Sequence, residues 1–366
     1  MAAIEGRVLT PAGFRAGRVI VENGRIRSVE EARGVSNRVI LPGFIDLHCH
    51  GGGGADVMDA GDAARRIAET HARAGTTAFL ATTMTAPLEE IEDALSAAEH
   101  AASSQGVDEA AILGVHLEGP FISADKLGAQ PDFVIQGDIA VMARLMRLAR
   151  IRVVTCAPEA DPDGTLACWL SARGVRVQIG HSGCDYETAC KSFESGRHGV
   201  THLFNAMSSL LHRTPGVVGA ALAHARYAEI IPDLLHVHPG AIRVALRAIP
   251  DLYAVTDATA AAGMPDGDYR LGRQRVRKCD NGVRLADGTL AGSSLTMIQA
   301  FRNLVVIGLT VEEASRRTSS IAADYLGHAD RGRIVPGAIA DVLVLDDALE
   351  LVSVIVRGRP VEPLLN

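Results

Sequence analysis

The stretch Pro42-Gly43-Phe44-Ile45-Asp46-Leu47-His48-Cys49-His50-Gly51 decides how the chain is read. An apolar run ends in two histidines separated by one residue. In extended backbone, residues i and i+2 face the same side, so His48 and His50 project together while Cys49 turns away. Paired imidazoles at the end of a strand begin a metal site. Four glycines follow, Gly51 to Gly54, which suits a loop that turns sharply or lets backbone approach a ligand.

Upstream of this stretch the texture is that of short strands. Val19 to Glu22 and Arg25 to Val29 flank Asn23-Gly24, a strong hairpin signal. A similar texture returns at Asp341 to Asp346 and Val352 to Val356, punctuated by Gly332, Gly337 and Gly358. Between the ends, β-branched runs alternate with alanine-rich segments. Thr76 to Leu80, Ile112 to Leu117, Arg152 to Cys156, Val175 to Ile179 and Leu252 to Thr256 read as strands. Leu88 to Ala102 and Ile139 to Ala149 read as amphipathic helices. Strand-then-helix repetition implies a parallel sheet, and the length suits an α/β (β/α)8 TIM-like barrel. The expected organisation is a barrel over 43–330 and a small β-sandwich domain built from both chain termini, 1–42 and 331–366.

Composition bounds the function. The 366 residues can bury a large core, and a formal net charge of -7 argues against a general nucleic-acid binder. The six cysteines (49, 156, 168, 184, 190 and 279) include no CxxC pair, a pattern of reduced thiols. No apolar run reaches the length of a membrane span. The expectation is a cytoplasmic protein with a small-molecule substrate, without nucleic-acid or membrane partners.

A barrel carries its chemistry where strands end at the C-terminal face. Polar residues stand at those ends. Glu118 follows Val115-His116-Leu117, His181 follows Ile179-Gly180, Thr201 leads to His202, and Asp257 follows Val255-Thr256. With His48 and His50, five strand ends would aim imidazoles and carboxylates into one space. Neutral imidazoles and a carboxylate suit zinc or iron(II), held as one or two ions. Such an ion makes hydroxide available near neutral pH and polarises a carbonyl. Asp257 is the candidate acid/base, and Glu118 could bridge two ions. His71, His100, His198, His224 and His328 read as surface or packing residues, and His116 as structural.

These motifs resemble the amidohydrolase superfamily and, within it, its N-acetylglucosamine-6-phosphate deacetylase branch. The resemblance rests on PGFIDLHCHGGGG at 42–54, HLEGPFI at 116–122, IGHS at 179–182, THLFNAM at 201–207 and RTPG at 213–216. It continues through LHVHP at 235–239, VTDAT at 255–259 and GRIVPGAIADVLVLD at 332–346. It implies that Glu118, His181 and His202 hold a principal ion, that His48 and His50 create a second position, and that Asp257 is the acid/base. Asn205 and Ala206 match contacts near the sugar phosphate, and Arg213 and His236 match phosphate binders. In such enzymes the arginine acts across the interface of a homodimer.

The chain departs from the branch in two places. Gln130 stands where a substrate-contacting histidine is expected after HLEGP; it can donate a hydrogen bond but cannot become cationic. Leu234-Leu235 stands where a glycine is usual. The expected reaction is hydrolysis of the acetamide of N-acetylglucosamine 6-phosphate to acetate and glucosamine 6-phosphate. The alternatives are the galacto epimer or another N-acyl substrate. A non-catalytic metal-bound sugar sensor is disfavoured, because ligands and acid/base are all in place.

Overall fold

The computed structural model describes residues 2–280 and 282–364, so residues 1, 365 and 366 of the expected terminal domain lie outside it. Eight short strands recur through the middle of the chain. They are β1 (Phe44–Cys49), β2 (Thr76–Thr83), β3 (Ala111–Glu118), β4 (Ile151–Thr155), β5 (Arg176–Ile179), β6 (Arg197–Val200), β7 (Tyr227–Ile230) and β8 (Asp251–Ala254). The first six form one parallel sheet in chain order, and β7 pairs with β8, also in parallel. β2 and β3 are buried along their whole length, as strands must be when covered on both faces.

Two seams close the ring. Past the end of β6, Leu203 N–H donates to the Glu229 carbonyl on β7 at 2.9 Å. Past the end of β8, Asp257 N–H donates to the His48 carbonyl at 2.9 Å, and His50 N–H donates to the Ala258 carbonyl at 2.9 Å. The Asp46 side chain reinforces this second seam, accepting from the Thr256 hydroxyl at 2.5 Å and from the His48 amide at 3.2 Å. The chain is thus a TIM-like barrel with helices between its strands. The second expected helix is shorter than its pattern suggested, Ile139–Leu145. The backbone turns after it because β4 must start at Ile151.

Strands from both chain ends form one mixed seven-stranded sheet. The strand Val39–Pro42 runs beside Ala2–Thr10 on one side and Val342–Leu345 on the other. Asn23 and Gly24 both take positive φ, 50° and 74°, the geometry the hairpin signal requires. Val8, Val19, Val21, Ile26, Ile40, Val342, Val344 and Ile355 give this sheet a hydrophobic cluster of its own.

One element has no counterpart in the sequence reading. Gly267–Leu271, Gln274–Cys279, Gly282–Arg284 and Leu290–Ser293 form a four-stranded antiparallel sheet inserted after β8. Its inner residues Leu271, Val276, Val283 and Ala291 pack on Met84 and Ala261. Arg270, Arg275, Arg277 and Arg284 are exposed. The insert covers one side of the barrel mouth. Among the described residues, no helix is long and apolar enough to cross a membrane.

Candidate active site

Every residue expected to hold a metal meets at the C-terminal mouth of the barrel. Glu118 Oε1 lies 3.3 Å from His181 Nε2 and 3.0 Å from His202 Nε2, and the two imidazole nitrogens are 3.1 Å apart. Beside them, His50 Nε2 lies 3.2 Å from His48 Nε2 and 3.2 Å from Asp257 Oδ1. Glu118 joins the groups, its Oε1 3.4 Å from His48 Nε2 and its Oε2 3.2 Å from His50 Nε2. All six side chains are buried.

The donor set fits divalent cations. Ligand atoms on a tetrahedron with ~2.05 Å arms stand about 3.3 Å apart, close to the spacing within each group. The far ring nitrogens settle which atom is free to ligate. His48 Nδ1 faces a Glu229 carboxylate oxygen at 2.9 Å, His50 Nδ1 the Thr82 carbonyl at 3.2 Å, and His181 Nδ1 the Lys126 carbonyl at 2.8 Å. These partners only accept, so the proton sits on Nδ1 and the Nε2 lone pair points into the cleft. Charge balance leads the same way. Burial would push the Glu118 and Asp257 carboxyls up, yet the surrounding imidazoles hold Glu118 well below its usual range and Asp257 at about 2. Burial would likewise depress His50, but Asp257 and Glu118 raise it to about 9. Buried carboxylates demand positive charge, which protons on imidazoles or a bound cation supply.

The backbone is strained where it aims these groups. His181, His202 and Asp257 each follow a strand and carry positive φ, 48°, 27° and 50°. Each costs on the order of 1–3 kcal/mol. Such a turn swings the side chain from the strand end over the mouth. The insert then presses against the last of these: Ser293 N–H donates to the Asp257 carbonyl at 2.7 Å. Gly292, at φ 60°, leaves no room for a side chain, since a Cβ there would stand 2.9 Å from that carbonyl oxygen.

Above the donors lies a cleft of about 250 Å³ lined by Gln130, Asn205, Ala206 and His236, with Leu271, Leu290 and Gly292 of the insert. Gln130 is oriented by two bonds: its carbonyl accepts from Thr85 N–H at 2.7 Å and its amide donates to Glu118 Oε2 at 2.5 Å. Its NH2 group therefore faces the donors. His236 Nδ1 bonds Asp233 at 2.6 Å. Burial would lower the His236 pKa, but the Asp233 carboxylate outweighs it and raises it.

Three placements add to the sequence reading. Arg213 is exposed, on a segment beside the exposed Leu210 and Leu211, and is not among the residues lining its own chain's cleft. The glycines 51–54 do not line the cleft; they pass tightly between other elements. A Cβ on Gly51 would meet Ala260 N at 2.5 Å, and one on Gly52 would meet His71 Nε2 at 2.7 Å. Leu234 takes φ 67°, the left-handed conformation that glycine would supply without strain. Sequence reasoning also missed Asp233, the insert residues and Glu229. The signal for Glu229 was present: a carboxylate inside the apolar run Ala228-Glu229-Ile230-Ile231 must be paired.

A barrel whose mouth gathers imidazoles and carboxylates in this way defines a class of metal-dependent hydrolases. The amidohydrolase family model matches residues 39–361, and the chain belongs to that family. It is 40% identical over 349 residues to an N-acetylglucosamine-6-phosphate deacetylase of Lysinibacillus sphaericus, covering 93% of this chain and 89% of that one. It is 37% identical over 329 residues to an N-acetylgalactosamine-6-phosphate deacetylase of Escherichia coli O157:H7, covering 88% and 87%. Among solved structures, a mutant N-acetyl-D-glucosamine-6-phosphate deacetylase of Mycobacterium smegmatis in complex with N-acetyl-D-glucosamine-6-phosphate superposes with a TM-score of 0.91. It is 30% identical and the match covers 100% of this chain and 99% of that one.

Proposed function

We propose that this chain is an N-acetylglucosamine-6-phosphate deacetylase, hydrolysing the acetamide to acetate and glucosamine 6-phosphate. The observation that carries the reading is the convergence of Glu118, His181, His202, His48, His50 and Asp257 at one mouth, in a chain similar to such deacetylases over most of its length. Zinc or iron(II) is the cation the donors favour, with Glu118, His181 and His202 at one position and His48 and His50 at a second. Bound there, the ion supplies an activated water and polarises the acetyl carbonyl.

The chain's own residues do the rest. Asp257, ionised and 3.2 Å from His50 Nε2, takes the proton of the attacking water. It then delivers that proton to the sugar nitrogen, so the C–N bond breaks with a neutral amine leaving. Gln130 offers its NH2 to the region where the acetyl oxygen sits, a neutral donor in place of a histidine. Asn205, Ala206 and His236 face the sugar phosphate, and the raised pKa of His236 keeps it cationic toward higher pH. Arg213 completes the phosphate site of a partner subunit in a homodimer, which accounts for its exposure beside Leu210 and Leu211.

The test is acetate release by metal-loaded protein from N-acetylglucosamine 6-phosphate and from its galacto epimer. Higher kcat/KM on the gluco compound supports the reading. Preference for the galacto compound transfers it to the epimer, and no release from either overturns it.

A further inference from the structure

Glu229 lies on β7 beneath the mouth, fully buried and outside the cleft lining. A single oxygen of its carboxylate, Oε2, accepts from the His48 ring at 2.9 Å and from the His202 backbone N–H at 3.2 Å. Its other oxygen accepts from the Tyr253 hydroxyl at 3.3 Å, and that hydroxyl accepts from the Gln178 amide at 2.7 Å. The Glu229 backbone carbonyl accepts from Leu203 N–H at 2.9 Å. One residue therefore ties down a ring from one group of donors and the strained backbone of the other, where His202 sits at φ 27°.

Glu229 is not itself placed to be a ligand. Its bonded oxygen faces Nδ1 of His48, the side turned away from the cleft. His116 is buried beside His48 and Glu229, and both its ring nitrogens are occupied, by the Leu47 carbonyl at 3.1 Å and the Thr155 hydroxyl at 2.8 Å. Neither His116 nitrogen is left to ligate an ion there. A carboxylate on the far nitrogen instead fixes the tautomer and orientation of a ligating imidazole and increases its basicity.

We infer that Glu229 is the positioning residue that sets the strength of the second metal position, through His48, and holds its spacing from the first, through His202. The inference rests on the two-position reading given above. The Glu229→Gln variant separates charge from shape. Its amide oxygen can still accept from His48 and His202, while its NH2 meets the Tyr253 hydroxyl, which loses the acceptor that Glu229 gives it.

The experiment is metal-binding stoichiometry and chelator competition with zinc alone, on the full chain, for wild type, Glu229→Gln and His48→Asn. Thermal melting of the metal-free forms is read alongside. Wild type should bind two equivalents. Glu229→Gln should weaken one of them by about 10- to 100-fold and leave the other unchanged, with the metal-free form still melting cooperatively as a folded protein. The equivalent it weakens should be the one His48→Asn removes. Two equivalents of wild-type affinity in Glu229→Gln overturn the inference alone, as does equal loss of both. A single equivalent in wild type overturns the two-position reading and this inference with it.

Discussion

The terminal sheet and the barrel mouth use backbone in opposite ways. In the sheet, Ala2–Thr10 pairs with Gly13–Glu22 in unbroken register from one end to the other, and the buried residues between strands are aliphatic. At the mouth the strands are as short as four residues, and the residues that follow them are charged, buried and bent into positive φ. Along that pairing the sheet keeps the local rules and carries no chemistry. The mouth breaks several and gathers all of it, which is the expected trade where strain is held in place by a rigid scaffold. If this division is real, damage to one region should leave the other's property intact.

The largest effect should come from Asp257→Asn. Removing the acid/base should lower kcat by about 10²- to 10⁴-fold while metal content by elemental analysis stays at the wild-type level. Near-normal turnover would end the proposed role. The converse variant is Ile40→Ala, at a fully buried position of the terminal sheet. It should cost about 2–5 kcal/mol in denaturant unfolding and leave kcat/KM at 25 °C unchanged; a loss of activity in the folded variant would couple the regions.

Arg213→Ala should raise KM by about 10- to 100-fold with kcat little changed, the pattern of lost ground-state and transition-state binding alike. Mixing it with an Asp257→Asn subunit should restore a fraction of wild-type sites if the arginine serves a partner. A pH series sharpens the phosphate site further. The His236 pKa is raised, so its positive charge persists below that pKa and is lost as pH rises through it. KM should therefore climb on the alkaline side, and His236→Gln should abolish that climb. The smallest effect is expected for Leu234→Gly. Relief of the left-handed backbone, about 1–2 kcal/mol, offsets the lost packing of a half-buried leucine. Unfolding free energy should stay within about 1 kcal/mol of wild type, and a larger loss would show that Leu234 carries more of the core than its position suggests.

Much of this was legible from residues alone. The β1 run ending in His48 and His50 and the polar residues at the ends of β3, β5 and β8 announced both the barrel and its mouth, because strand periodicity and strand ends are local signals. The Asn23-Gly24 hairpin was legible for the same reason. The insert was not. Its strands run from three to six residues and alternate charge with few apolar positions, so their pairing is decided by what they cover. Glu229 was visible as an anomaly, but its partner stands 181 residues away in sequence, and only the closed ring brings them together. Arg213 was named by its RTPG segment, but an exposed position carries no local signal of what it meets.

The seam between β8 and β1 has one more implication. The amides of His50 and Asp257 that stitch the ring shut belong to residues whose side chains converge on the same few ångströms of space. Anything gripping those side chains also rivets the staves together, and any breathing of the staves loosens the grip. Solvent exchange at these two amides would thus read occupancy of the mouth directly, making this joint of the cylinder its own gauge.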